Sequence, residues 1–162
     1  MEVKCVLQQC SYDELAVEDQ NLLEKAHEAA SNAFAPYSDF RVGSAVRLAN
    51  GQIVQGSNQE NISYPQGMCG ERVTLFAAGA QYPGVEIVAM ATVSPSEIAL
   101  STGFAPCGGC RQVILESELR QNTPIKLLLQ VRHEHVLISD SAENLMPFSF
   151  RVKDDGLKKN RT

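Results

Sequence analysis

The chain has 162 residues, of which 44% are hydrophobic and 20% are charged, and its formal net charge is −5. This length and this composition predict a single domain with a hydrophobic core of its own. The acidic balance argues against non-specific binding to nucleic acids and against attraction to anionic membranes, because both need a basic surface.

Two features of the sequence predict a cytoplasmic protein with no membrane partner. The N-terminus has neither the basic region nor the apolar stretch of a secretory signal, and no apolar run approaches the roughly 18 residues that span a bilayer. In that compartment the five cysteines are expected to bind metal, to take part in catalysis or to be buried, rather than to form disulfides.

The first half of the chain predicts one helix and one hairpin. Apolar residues recur at helical spacing over residues 17–34, which indicates an amphipathic helix that Pro36 ends. Residues 41–58 predict a β-hairpin, because alternate side chains of its first strand suit one buried face. Asn50 and Gly51 indicate a tight type I′ turn between the two strands.

The second half alternates helices with apolar strands. Helices are predicted at 69–82 and 107–121, and each opens on a cysteine. The strand predicted at 85–94 is nearly all apolar, as expected for burial on both faces, and 95–106 is expected to be a loop. Two strands and a short helix with a turn complete the pattern, at 124–131, 135–138 and 141–150.

These elements predict an α/β fold, a three-layer α/β/α sandwich with a mixed, roughly five-stranded sheet, because apolar strands need helices on both faces. Residues 1–152 are assigned to this single domain. Residues 153–162 are polar and are expected to form a frayed tail.

Three cysteines have the spacing of a metal site. Cys107 and Cys110 form a C-x-x-C pair on one face of a predicted helix, whose N-terminus favours the thiolate form. Cys69 opens another predicted helix, so two helix ends directed at one point would gather three sulfurs. Three protein ligands leave a fourth position open, as in catalytic zinc sites. By themselves, C-x-x-C also fits redox and structural zinc motifs, and Cys69 fits a buried thiol.

Three charged residues beside the cysteines have both a structural and a functional interpretation. Glu71, near the start of its predicted helix, could complement the helix dipole, shuttle protons beside the metal, or do both. Three thiolates and one Zn²⁺ sum to about −1, so the site needs positive charge from outside its ligands. Arg72 and Arg111 could each supply it, or could form surface salt bridges.

Several motifs in order resemble a known family. C-x-E followed by P-C-x-x-C is the signature of the zinc-dependent nucleoside and nucleobase deaminases in their three-cysteine variant. The stretches "APYSDFRVGSAV", "NQENISYPQGMCGER", "PCGGCRQV" and "LMPFSF" further resemble, in order and spacing, the small homotetrameric cytidine deaminases. This resemblance runs from about residue 33 to residue 150, which is most of the chain.

The resemblance implies a hydrolase that deaminates cytidine and 2′-deoxycytidine in pyrimidine salvage, with one zinc ion per chain. It implies that Cys69, Cys107 and Cys110 bind the zinc and that Glu71 is the general acid/base. The reaction would attack C4 of the base with water and release ammonia.

The resemblance also implies a nucleoside-binding site that is shared between subunits of a homotetramer. Arg72, Arg111 and Gln112 would support the site from behind. The residues that would contact the nucleoside are Asn58 and Glu60 at the ribose 3′-hydroxyl, Phe40 and the backbone of Gly70 at the base, and Ile62, Tyr64 and Phe150 across a subunit boundary.

The chain departs from the family at two positions, because "CGERV" stands where Cys-Ala-Glu-Arg-Thr is usual. Three other functions stay open: a blasticidin S-type or other nucleoside deaminase, a polynucleotide deaminase, and a non-catalytic zinc module. The acidic charge argues against the second. The third would need a fourth protein ligand, for which Cys5, Cys10 and His133 are candidates.

Overall fold

The computed structural model describes residues 2–102, 104–130 and 135–150. Single 3₁₀ turns occur at Tyr12–Glu14, Tyr64–Gln66 and Glu143–Leu145. The helices are α1 (Val17–Ser31), α2 (Gly70–Gln81), α3 (Glu97–Thr102) and α4 (Gly108–Gln121). The strands are β1 (Gln8–Ser11), β2 (Gly43–Leu48), β3 (Ile53–Ser57), β4 (Ile87–Val93), β5 (Lys126–Gln130) and β6 (His135–Ser139).

One mixed sheet runs through the molecule in the order β1-β6-β5-β4-β2-β3. Strands β4 and β5 are parallel, and the other neighbours are antiparallel. The sheet therefore has six strands, and the prediction of about five was one short. The additional strand is β1, whose sequence QQCS has no alternating apolar pattern and which forms through backbone pairing, with Cys10 opposite Val136.

Helices cover both faces of this sheet, which confirms the predicted three-layer sandwich. On one face α1 packs its leucines and alanines on Ala89, Ala91 and Leu128. On the other face α2 and α4 pack on the intervening side chains, such as Met90 and Leu127. Strand β4 is buried on both faces, as its apolar sequence predicted, because helices lie above and below it.

Three local predictions were wrong in detail. The first helix ends at Ser31 rather than residue 34, because the next residues turn towards the segment after β3, where Phe34 donates its N–H to the Asn58 carbonyl. The segment predicted as a loop contains helix α3. In the β2–β3 turn Gly51 has φ +83° whereas Asn50 has no positive φ, so this is a three-residue turn with a left-handed glycine rather than type I′.

The remaining predictions for the C-terminal part have different outcomes. The short helix and turn after β6 are confirmed by the 3₁₀ turn at Glu143–Leu145. The tail predicted at 153–162 lies outside the described residues. Among the helices that are described, every one is too short or too polar to span a bilayer.

Candidate metal centre and active site

Two helix N-termini bring the three cysteines together. Cys69 is the N-cap residue of α2 and Cys107 is the N-cap residue of α4, both with extended backbone. Cys110 lies in the first turn of α4 and is fully buried. The three Sγ atoms lie within 4.8 Å of one another, and those of Cys107 and Cys110 are 3.4 Å apart. The convergence predicted from the sequence is therefore present.

Close packing fixes the N-terminus of α2 against the sheet. The buried hydroxyl of Thr74 donates within α2 to the Gly70 carbonyl at 2.9 Å and contacts the Ser44 carbonyl of β2 at 3.2 Å. A Cβ atom on Gly56 of β3 would lie 2.6 Å from the Thr74 hydroxyl oxygen, so glycine is required for this approach. The first turn of α2, which follows Cys69, is thereby packed against β2 and β3.

The cysteine cluster suits a tetrahedral zinc ion. With Zn–S bonds of about 2.3 Å, the sulfurs of such a site lie about 3.8 Å apart, and the three sulfurs here need only small shifts to reach that spacing. Hydrogen bonding from the Cys110 thiol and from the Arg72 guanidinium lowers the pKa of Cys69 to about 5, although its burial acts in the other direction. The donor set thus favours the thiolate that metal binding requires.

The two arginines beside the cysteines have different partners. The Nη2 atom of Arg72 donates to the Sγ of Cys69 at 3.5 Å, which agrees with its expected support of a thiolate. The Nε atom of Arg111 instead donates to the carbonyl oxygen of Pro106 at 2.7 Å. Arg111 therefore braces the segment that leads into α4.

Glu71 lies in the first turn of α2, two residues after Cys69. It is only 3% exposed, and it lines the same cavity as Cys69 and Cys107. Burial raises the pKa of the Glu71 carboxyl, and the negative charge of Cys69 raises it further. A buried carboxyl that opens onto the cavity beside the cluster can exchange protons with a molecule bound there.

The cavity beside the cysteines has a volume of about 470 Å³, which is in the range of small-molecule sites. Another cavity, of about 510 Å³, lies between the C-terminal parts of α2 and α4 and is lined by none of the described cysteines. The first is therefore the candidate active site. Its lining consists of Phe40, Val42, Asn58, Gln59, Glu60, Tyr64, Gly67, Met68, Cys69, Glu71, Phe104, Ala105 and Cys107.

Asn58 holds the backbone that carries Phe40. Its Oδ1 accepts the N–H of Val42 and its Nδ2 donates to the carbonyl of Phe40, both at 2.8 Å. A side-chain amide has two N–H groups and two lone pairs, so one of each is left for a ligand. The asparagine lies on the cavity wall, and its contact with a ribose stays a prediction.

Glu60 holds the backbone of the turn at Tyr37 and Ser38. Its carboxylate accepts the N–H of Tyr37 at 2.9 Å and both the N–H and the hydroxyl of Ser38. These hydrogen bonds, above all the one from the Ser38 hydroxyl, lower the pKa of Glu60. A carboxylate offers about four lone-pair positions, so capacity for one more hydrogen bond is left, and Glu60 lines the cavity.

Gly70, where the family usually carries alanine, is packed tightly. A Cβ atom there would lie 3.0 Å from the carbonyl oxygen of Val42 and 3.2 Å from the backbone nitrogen of Asn58. These two atoms form a hydrogen bond of 3.1 Å with each other. The glycine therefore lets the start of α2 lie directly on the backbone pair that supports Phe40.

Residues expected at a subunit boundary lie at the surface of the single chain. Ile62 is 81% exposed and Phe150 is 76% exposed, and neither lines the cavity of its own chain. Tyr64 is exposed but does line the cavity, with its ring 6.0 Å from that of Tyr37. Gln112 donates through Nε2 to the carbonyl of Phe150 at 3.1 Å, so it holds the C-terminal segment against α4.

Phe104 is a cavity residue that the sequence pattern did not predict. Its ring lies 5.8 Å from that of Phe40 at an interplanar angle of 47°, and both rings line the cavity. The available signal was an aromatic residue three positions before Cys107, at the entrance to a helix that carries two candidate ligands.

The candidates for a fourth protein ligand are not part of the cluster. Within the described residues, Cys69, Cys107 and Cys110 form the metal-ligand group without Cys5 or Cys10. Cys10 lies in β1, and its thiol faces the carbonyl oxygen of Val136 at 3.8 Å. His133 lies outside the described residues. The described cluster thus has the three-ligand composition of catalytic zinc sites.

Comparison with known proteins agrees with this site. A family model for the cytidine and deoxycytidylate deaminase zinc-binding region matches residues 16–123. A cytidine deaminase of Halalkalibacterium halodurans is 38% identical over 97 residues, which cover 60% of this chain and 70% of the relative. A cytidine deaminase of Mycobacterium tuberculosis is 38% identical over 112 residues, which cover 67% and 80%.

Solved structures share the fold. The crystal structure of cytidine deaminase from Burkholderia pseudomallei matches with a TM-score of 0.68 and 35% identity, and the match covers 84% of this chain and 100% of that chain. The region matched by the family model begins at residue 16, so strand β1 lies outside it. Because the family model covers more than half of the sequence, the chain belongs to the zinc-binding cytidine and deoxycytidylate deaminase family, and it is an enzyme of this hydrolytic class.

Proposed function

We propose that this enzyme hydrolyses cytidine and 2′-deoxycytidine to uridine and 2′-deoxyuridine, with release of ammonia. The observation that carries the proposal is the buried carboxyl of Glu71, which faces one cavity together with the thiols of Cys69 and Cys107. The names of the relatives, which are cytidine deaminases, support the same substrate.

The three cysteines would hold one zinc ion per chain, and Arg72 would stabilise the thiolate of Cys69 through its hydrogen bond. When bound, zinc supplies Lewis-acid chemistry that makes a water molecule acidic enough to deprotonate near neutral pH. Arg111 would support the site by holding the segment before α4. All other steps depend on side chains of the protein.

Glu71 would carry the protons of the reaction. Its carboxylate takes one proton from the attacking water and delivers it to N3 of the base while the oxygen bonds to C4. It then passes the second proton of the water to the amino group, the C4–N bond breaks, and ammonia leaves. The C4 carbonyl forms as N3 retains its proton, so water and cytidine are converted into uridine and ammonia with no other reactant.

The remaining cavity residues would orient the nucleoside. Asn58 and Glu60 line the cavity and each have hydrogen-bonding capacity left, which suits the ribose 3′-hydroxyl. A site built to bond a hydroxyl discriminates strongly against analogues that lack it. Phe40 would pack on the base, and the backbone N–H of Gly70 would meet its O2 carbonyl.

We further propose a homotetramer in which neighbouring chains complete each active site. The exposure of the apolar side chains of Ile62, Tyr64 and Phe150 supports this arrangement, because contact with a second chain would bury them. Analytical ultracentrifugation tests it, and a fully active monomer would exclude it. The cytoplasmic location and the role in pyrimidine salvage stay predictions.

The deaminase assay is direct. Purified protein with quantified zinc should convert cytidine with loss of its ultraviolet absorbance and release of ammonia, whereas blasticidin S and single-stranded DNA should react far more slowly. Glu71→Ala should lose roughly 10²–10⁴-fold in kcat, as expected for the loss of general acid–base catalysis, while it keeps its zinc. Glu97→Ala, which removes an exposed carboxylate of α3, is the matched control. Near-normal turnover by Glu71→Ala would contradict its assigned role.

A further inference from the structure

An aromatic corner forms one part of the cavity wall. Phe104 and Phe40 are in ring contact at 5.8 Å with their planes at 47° to each other, so they do not form a parallel-sided slot. A planar base can lie against the face of one ring and turn its edge towards the other, an arrangement that aromatic rings favour. Phe104 is half-buried, so it is part of the cavity wall rather than a free surface side chain.

Phe104 and Glu71 reach the cavity from different elements. Glu71 belongs to the first turn of α2, whereas Phe104 belongs to the segment that enters α4 three residues before Cys107. The cysteine cluster lies between the two helix ends. A base bound in the cavity would therefore have the carboxyl of Glu71 on its α2 side and the ring of Phe104 on its α4 side.

The chemistry of the base then identifies which edge meets Phe104. In a cytosine ring C4 lies between N3 and C5. If C4 is directed at the cysteine cluster and N3 at Glu71, the C5 edge is turned away from α2 and towards the segment of Phe104 and Ala105. That part of the wall is apolar, which suits the C–H edge of the ring.

We propose that Phe104 determines how large a substituent the enzyme accepts at C5 of the base. This inference rests on the proposed cytidine deaminase function. The ring of Phe104 is in contact with Phe40, and the backbone of Phe40 is held by Asn58. Since the Phe40 ring lies against the Phe104 ring and the Phe40 backbone is fixed, a bulky atom at C5 meets a wall that is supported from behind.

The test compares two substrates in each protein. The ratio of kcat/KM for 5-bromocytidine to that for cytidine is measured by ammonia release in the unsubstituted enzyme, F104A, F104L and the control I98A. Ile98 is an exposed apolar residue of α3 that does not line the cavity. Because the same two substrates are compared throughout, their different intrinsic reactivities cancel.

The ratio should rise about 10-fold or more in F104A, the scale expected when an apolar pocket loses bulk that opposed a substituent. It should rise less in F104L and stay constant in I98A. An unchanged ratio in a folded, zinc-containing F104A would overturn the proposal. If F104A does not fold, F104L decides by the same criterion.

Product binding separates this inference from the proposed function. The ratio of the dissociation constants of 5-bromouridine and uridine, measured by calorimetry, should fall in F104A relative to the unsubstituted protein. If the unsubstituted protein deaminates cytidine and both ratios are insensitive to Phe104, only the role of Phe104 is wrong. If the unsubstituted protein neither deaminates cytidine nor binds uridine, the proposed function fails and this inference fails with it.

Discussion

Substitution of Gly43 by alanine should destabilise the protein strongly. Gly43 begins β2 and is buried beneath α1. A Cβ atom there would overlap the carbonyl oxygen of Ala26 and would lie 2.8 Å from the Cβ of Ala30. Carbon atoms pack at about 3.5–4.0 Å, so α1 would have to move by roughly 1 Å away from the sheet.

The magnitude follows from this forced displacement. Overpacking of a well-filled core costs about 1–3 kcal/mol. We expect about 3 kcal/mol here because the two nearest atoms, the carbonyl oxygen of Ala26 and the nitrogen of Ala30, belong to the helix backbone and cannot change rotamer. For a chain of this size 1 kcal/mol corresponds to about 2–4 °C in Tm, so Tm should fall by roughly 6–12 °C.

The same substitution at Gly79 provides the control. Gly79 lies exposed in α2, and beyond the backbone of its own helix an added Cβ would meet no described heavy atom within 4 Å. Alanine is the better helix former, so Gly79→Ala should stabilise the protein by about 0.5–1 kcal/mol. Calorimetry and urea unfolding at equal zinc and protein concentrations measure both variants.

The two alanine substitutions are therefore expected to change Tm in opposite directions. A Gly43→Ala protein that melts within about 1 °C of the unsubstituted protein, a shift worth less than about 0.5 kcal/mol, would refute the close approach of α1 to β2. Because Val42 lines the cavity immediately before Gly43, the same variant should also lose activity.

Three further substitutions test the surroundings of the site and the anchoring of α4. Arg72→Ala should weaken zinc binding about 10–100-fold in competition with a chromophoric chelator, because the guanidinium donates to the sulfur of Cys69. Arg111→Ala, whose Nε donates to a backbone carbonyl instead, should lose less, and equal losses would contradict this distinction. Glu118→Ala should lower the free energy of unfolding by about 3 kcal/mol, because its buried carboxylate accepts three backbone N–H groups and one hydroxyl. Urea unfolding measures this loss, and hydrogen exchange should accelerate at Ala142; a loss below about 1 kcal/mol would argue against these bonds.

The helices, the inner strands and the cysteine cluster could be predicted because their signals are local. An apolar period identifies a helix or strand over a few turns, and the C-x-x-C pair shares a helix face by geometry alone. Cys69, Cys107 and Cys110 were therefore found before any tertiary contact was known, and the structure gathers their sulfurs. Family resemblance then supplied roles for the nearby polar residues, which short-range patterns could not.

Other features depend on partners far away in the sequence. Strand β1 pairs with β6, more than 120 residues later, and its own four residues carry no strand pattern. The wall that Phe104 forms in the cavity likewise depends on Phe40, which comes from the segment before β2.

Gly70 shows most clearly the difference between what the local sequence predicts and what tertiary contacts determine. The sequence alone determined that a glycine follows the first cysteine, where the family usually has alanine. Only the tertiary structure decided why glycine fits there, because it places the Val42–Asn58 backbone pair within 3.0–3.2 Å of the missing Cβ. Patterns along the chain determine which segments are helical or extended, whereas the space left around each residue is set by atoms from segments that the local pattern does not contain.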